Sequence, residues 1–162
     1  MSSSIDLSNP GRSIHVGVIL LNSVTELLDL APVGFFSTIS YNFLKNLPPL
    51  LVSDDVKAKA LDIQFHWVTE NGQSLAHLTG NLHVSPTDSF ATCPPLDIVV
   101  LGANQVGYQA SDIEKEFLRK CHAECTAFLC ICGGFEPALY AGLLEGAWPD
   151  RDVDYADVVP MA

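Results

Sequence analysis

Residues 127–146 constrain this chain more than any other stretch. Ala127-Phe-Leu-Cys-Ile131 is a continuous apolar run of strand length, with no polar alternation. Such a run predicts a strand buried on both faces, as in a parallel sheet. From Pro137 to Leu144, Ala, Leu and Tyr recur at helical spacing, with Pro137 suited to a first helical turn and Gly146 to a stop. Between strand and helix stand Cys132-Gly-Gly-Phe-Glu136. Paired glycines permit a turn too tight for side chains, which lifts Cys132 at the strand's end toward the helix N-terminus. This is the geometry of a nucleophile elbow, with Cys in place of Ser. Unpaired N–H groups at a helix start favour the thiolate, the form of cysteine that attacks electrophiles. The same residues also admit a plainer reading, an inert cysteine beside a packing turn.

The rest of the chain supplies partners for that strand. Residues 13–22 read as a first strand and Leu96-Asp-Ile-Val-Val-Leu101 as another wholly apolar one after its Asp. Pro32 opens a helix expected to run to about Leu47, with Phe35, Phe36, Ile39 and Phe43 as its buried stripe and Pro48-Pro49 as its end. Residues 62–69 alternate as a strand, Glu70-Asn-Gly72 is a turn signal, and residues 73–86 suggest a hairpin pivoting on Thr79-Gly80. Residues 87–95 read as a loop. Ser111 and Glu114 form a capping box for a helix that turns Ile113, Phe117, Cys121 and Ala123 or Cys125 inward. Apolar strands alternating with helices predict an α/β domain with a parallel sheet. Residues 1–12 read as a flexible lead, 13–146 as the domain, and 147–162, rich in Asp, as a poorly ordered acidic tail.

In such a sheet, ligands bind beyond the carboxyl ends of the strands. Three loops reach that edge: residues 22–29, residues 102–108 and the Cys132 turn. Asp29 or Glu26 is near enough in the first loop to bond a thiol or activate water; the other reading of Asp29 is a solvent-facing charge at the start of the Pro32 helix. Backbone N–H groups of Gly133, Gly102 and Ala103 are candidates for an oxyanion hole, or else mark tight packing. No histidine is well placed by sequence. His15 lies within a strand, His122 on an exposed helix flank, and His66, His77 and His83 on the expected surface, with His77 or His66 the minority candidate for a catalytic base.

Charge and cysteine usage narrow the functions further. Eight Lys plus Arg against 19 Asp plus Glu give a net charge of −11. That opposes nucleic acid and anionic membrane surfaces, which need clustered positive charge. No apolar run reaches the roughly 18 residues of a membrane span, and the N-terminus lacks the pattern of a signal peptide. Five cysteines, an odd number, fit free thiols in a reducing cytoplasm. Cys121, Cys125, Cys130, Cys132 and His122 lack zinc-ligand spacing, and Cys121, Cys125 and Cys130 read as core, so no metal is expected. Neither G-x-G-x-x-G nor Walker A occurs, so no nucleotide cofactor is expected.

Three blocks carry a family resemblance: Val16-Gly-Val-Ile-Leu-Leu with Leu27-Leu-Asp-Leu-Ala-Pro-Val33; Leu96-Asp-Ile-Val-Val-Leu-Gly102; and Ile131-Cys-Gly-Gly134 with Ala141-Gly-Leu-Leu-Glu-Gly146. Together these resemble the DJ/PfpI superfamily, the cysteine branch of the class I glutamine-amidotransferase-like fold, and within it the isonitrile-hydratase-like proteins common in fungi. The resemblance implies a flavodoxin-like three-layer sandwich, Cys132 as nucleophile, an acidic partner at Asp29, and a homodimer. It implies a small-molecule electrophile as substrate, hydrated as isonitriles are, or handled by related aldehyde or amide chemistry. A non-catalytic redox-sensing or interaction module is the alternative. The chain departs from the family pattern in having Gly133 where Thr commonly follows the nucleophile, and Gly102-Ala-Asn for a common Pro-Gly. The further strands and helix that follow the last block in family domains are also not expected here.

Overall fold

The computed structural model describes residues 5–144. Five parallel strands form the main sheet: β1 (Ile14–Ile19), β3 (Ile63–Thr69), β6 (Asp88–Ser89), β7 (Ile98–Leu101) and β8 (Ala127–Cys130), in the order β6-β3-β1-β7-β8. A small second sheet joins β2 (Val24–Thr25), β4 (Ala76–Leu78) and β5 (Leu82–Val84). The expected hairpin is present, with Ala76 opposite Val84 and Gly80 turning at φ 73°. Five α-helices accompany the sheets: α1 (Ala31–Thr38), α2 (Tyr41–Leu44), α3 (Asp54–Lys57), α4 (Asp112–Glu124) and α5 (Phe135–Tyr140).

Strand alternation gives the sheet two apolar faces. Ile19, Val68, Val99 and Leu101 meet Phe117, Leu118 and Cys121 of α4 and Ala138 of α5 on one. Val16, Ile63, Ile98 and Val100 form the other with Phe36 of α1, while Val18 and Leu20 meet Leu30 and, from the small sheet, Ala76 and Leu78. This is the three-layer α/β sandwich of the flavodoxin type.

Five expectations are corrected. The helix expected over residues 32–47 is two short ones, because Ser40 stops the first and caps the second by accepting from the Phe43 N–H, and residue 40 bridges to Leu61. Its apolar stripe is not buried: Phe35 is 67 % exposed, Ile39 and Phe43 are exposed, and only Phe36 packs on the core. In α4 the inward residues are Glu114, Phe117, Leu118 and Cys121, whereas Ile113 and Ala123 face outward. Finally, among the described residues β8 is an edge strand with every residue half-buried, and residues 87–95 contain the short edge strand β6. The acidic tail (147–162) and Gly146 lie outside the described residues. Gly142, at φ 77°, ends α5 instead, with the Gly142 and Leu143 N–H groups closing on Leu139 and Ala138.

Candidate active site

The turn after β8 carries the feature that the sequence singled out. Residues Cys132–Gly134 form a single 3-10 turn leading directly into α5. Cys132 has φ 52°, the left-handed region that L side chains rarely enter. Gly134 makes the tight approach feasible: a Cβ there would sit 2.1 Å from the Leu101 carbonyl oxygen. Its φ of −60° is ordinary, so the glycine is needed for space and not for backbone freedom. Gly133 lies against Ala103, where a Cβ would come within 3.2 Å of the alanine's own.

The outcome for the five cysteines is sharply divided. Cys93, Cys121, Cys125 and Cys130 sit in or against the α4 core. Burial pushes the thiols of Cys93 and Cys121 up to about 12 and raises those of Cys125 and Cys130, so all four stay protonated near neutrality. Cys132 alone is exposed to reagents.

All three expected loops converge. The Glu26 N–H donates to the Ala103 carbonyl at 2.9 Å, and the Gln105 N–H donates to Ser23 Oγ at 3.2 Å. Asp29 lies in a 3-10 turn (Leu27–Leu30) and is 8 % exposed, which rules out the solvent-facing reading of this residue. Its Oδ2 accepts the Ala103 N–H at 2.8 Å, and a Cβ on Gly102 would stand 3.0 Å from its Cβ. Glycine at 102 thus lets the acid reach the turn beside Cys132. Glu26 instead caps its own turn, accepting from the Leu28 N–H and from the Thr79 hydroxyl.

Two assignments need correction. The Ala103 amide is not available as an oxyanion donor, because its hydrogen is held by Asp29. His66 is not on the surface: its side chain is 13 % exposed, with Nδ1 2.9 Å from Asp88 and Nε2 2.9 Å from His15 Nδ1. His77 and His83 are exposed and meet edge to face across β4 and β5, and His122 is exposed on α4. No hydrogen bond joins a histidine or carboxylate to Cys132 Sγ among the described residues.

Sequence reasoning missed the residue that holds the loops together. Glu114 is wholly buried; its carboxylate accepts from the Asn22 N–H at 2.8 Å, the Ser111 N–H at 2.7 Å and the Tyr108 hydroxyl at 2.9 and 2.7 Å. The capping box announced the Ser111 contact. Nothing local announced the reach to Asn22, which is 92 positions away.

Fold and site together define a class: a flavodoxin-like α/β protein with one exposed cysteine on a strained turn at the carboxyl edge of its sheet. The comparisons with known proteins agree on the fold. An isonitrile hydratase from Pseudomonas putida is 32 % identical over 108 residues, which are 65 % of this chain and 47 % of that enzyme. A ThiJ/PfpI family protein from Pseudomonas syringae shares the fold at a TM-score of 0.61 and 15 % identity, over 83 % of this chain and 48 % of that one. Drosophila melanogaster DJ-1beta does so at 0.55 and 16 %, over 81 % and 61 %. No family model matches the chain. The sequence match and the shared fold support membership of the DJ-1/PfpI superfamily. The chain spans about half the length of the hydratase that it resembles. No helix among the described residues is long and apolar enough to cross a membrane.

Proposed function

We propose that Cys132 is the nucleophile of a hydration reaction on a small electrophilic carbon, as in an isonitrile. The observation that carries this reading is the exposed Cys132 at φ 52°, beside the Gly102–Ala103 turn that a buried acid, Asp29, bonds. The thiolate adds to the isonitrile carbon, which takes a proton to give a thioimidate. Water adds to that carbon, the nitrogen takes a proton, and the sulfur–carbon bond breaks. A formamide and the thiolate result. Asp29, with one oxygen held by Ala103, keeps the other to draw a proton from the water. The Gly133 and Gly102 amides are the proposed donors to developing negative charge. The test is formamide production from an alkyl isonitrile: Cys132→Ser should abolish it with an unchanged circular dichroism spectrum. Unchanged turnover would remove Cys132 from the mechanism.

A second reading is redox sensing, favoured by the fact that Asp29 is bonded to Ala103 and not to the thiol. There the thiolate attacks a hydrogen peroxide oxygen, the O–O bond breaks, and sulfenic acid and hydroxide form, the hydroxide taking a proton from solvent. Sulfenylation at Cys132 in a protein inert toward isonitriles would select this reading.

The acting unit is proposed to be a pair of identical chains. Residues 30–53 carry one charged residue, Lys45, in a chain of net charge −11, and they expose Phe35, Tyr41, Phe43, Leu50 and Leu51. Two such acidic chains can meet with least repulsion on that face.

A further inference from the structure

A half-open cavity of about 430 Å³ lies at the carboxyl ends of β1 and β3, walled on the β7 side by Gln105. Neither Cys132 nor Asp29 lines it. The sheet order reverses between β1 and β7, the place where open α/β sheets collect their ligands, and Gln105 brings the cavity's wall to that crevice. Its floor is apolar, with Leu20 and Ala76; no Asp, Glu, Lys or Arg lines it, and His77 is the titratable side chain on its wall.

The polar wall has a definite sense. Ser23 Oγ accepts the Gln105 N–H, Thr69 Oγ1 accepts the Gly72 N–H, and Ser74 Oγ accepts from the Asn71 side-chain amide. A hydroxyl that already accepts an N–H retains its own hydrogen to donate. Three such donors around an apolar floor suit an uncharged molecule bearing carbonyl or ether oxygens. Anions are disfavoured by the overall charge of −11 and by Glu70, which bonds the Asn22 side chain at the cavity wall.

The cavity and the thiol are linked through the 102–108 loop. Gln105 follows Ala103 by two residues, a chain reach of about 7 Å, and Ala103 packs on Gly133, the neighbour of Cys132. We infer that this cavity holds the non-reacting body of the Cys132 substrate, which is therefore a small electrophile with an uncharged, oxygen-bearing substituent. The inference rests on the nucleophile reading above, and the experiment separates the two.

Three iodoacetyl reagents report on Cys132 when the full chain is alkylated and mapped by peptide mass spectrometry; in each the thiolate forms a thioether and expels iodide. They are iodoacetamide, 2-iodo-N-(2-methoxyethyl)acetamide and N-iodoacetylglycine. The methoxyethyl reagent should modify Cys132 with saturation and at least tenfold more efficiently than the carboxylate. Ser74→Ala should lower that advantage at least threefold while leaving the iodoacetamide rate within twofold. In parallel, the unreactive N-(2-methoxyethyl)acetamide should shift the amide resonances of Thr69, Ser74 and Gln105. An inert Cys132 with those shifts present would overturn the nucleophile reading and the substrate assignment while leaving a binding cavity. Absence of the shifts, or equal rates for the methoxyethyl and glycine reagents, would overturn the cavity itself.

Discussion

At the scale of single residues, Glu114 and Cys132 make opposite use of burial. Glu114 is a carboxylate taken fully out of water, and it is tolerated because two backbone N–H groups and a tyrosine hydroxyl replace its hydration. Replacing it with Leu strands those donors, each an unpaired buried group costing about 1–3 kcal/mol. Glu114→Leu should therefore lower unfolding free energy by on the order of 3 kcal/mol in a urea titration, whereas an exposed change such as Glu116→Gln should leave it nearly unchanged. Cys132 stays outside, where four other thiols are pushed up by the core. The sequence pointed to Cys132 through its neighbours, Gly133 and Gly134, whose lack of side chains the turn requires. It could not say that Asp29 would bond Ala103, since that bond joins residues 74 positions apart.

Among the elements, β1, β3 and β6 share a titratable seam. His15, His66 and Asp88 line up across the three strands, with Asp97, Arg12 and Asp62 also facing His15. Burial chiefly, and then the neighbouring His66, hold His15 below the usual 6.5. The unfolded chain therefore binds more protons as pH drops below about 6.5, and stability falls with it. Full stability from this group is present above the usual histidine value and is lost toward the lowered one. Melting temperature should drop between pH 7 and 5, and His15→Gln should flatten that dependence; an unchanged slope would remove the seam as its cause. The elements themselves were legible where periodicity was strict, as in the hairpin and the Ser111-capped helix. They were misread in α1 and α2, where a serine cap and a bridge to Leu61 cut one apolar stretch in two.

For the whole molecule, the consequence of that cut is a charge-poor face of exposed aromatics. Phe35→Asp adds a charge among these exposed residues, so it should shift sedimentation from the proposed dimer to monomer without changing the melting temperature by more than a few degrees. A wild-type chain that sediments as a monomer at all concentrations would refute the pairing. The strand order also sets the distance between sites: β8 stands beside β7, and β3 lies across β1. The Cys132 turn and the cavity over β1 and β3 therefore open on one edge, sharing the 22–29 and 102–108 loops.

By itself the sequence determined the α/β class, the strand–turn–helix around Cys132 and the set of loops at one sheet edge. Those follow from local rules: apolar runs, glycine pairs, caps and turn residues. Only the tertiary structure decided that Asp29 is buried against Gly102, that Glu26 caps its own turn, that β8 is an edge strand among the described residues, and that three hydroxyls surround a cavity. Each of these depends on contacts between segments far apart in the chain, whose geometry is set by packing and not by the neighbours of any one residue.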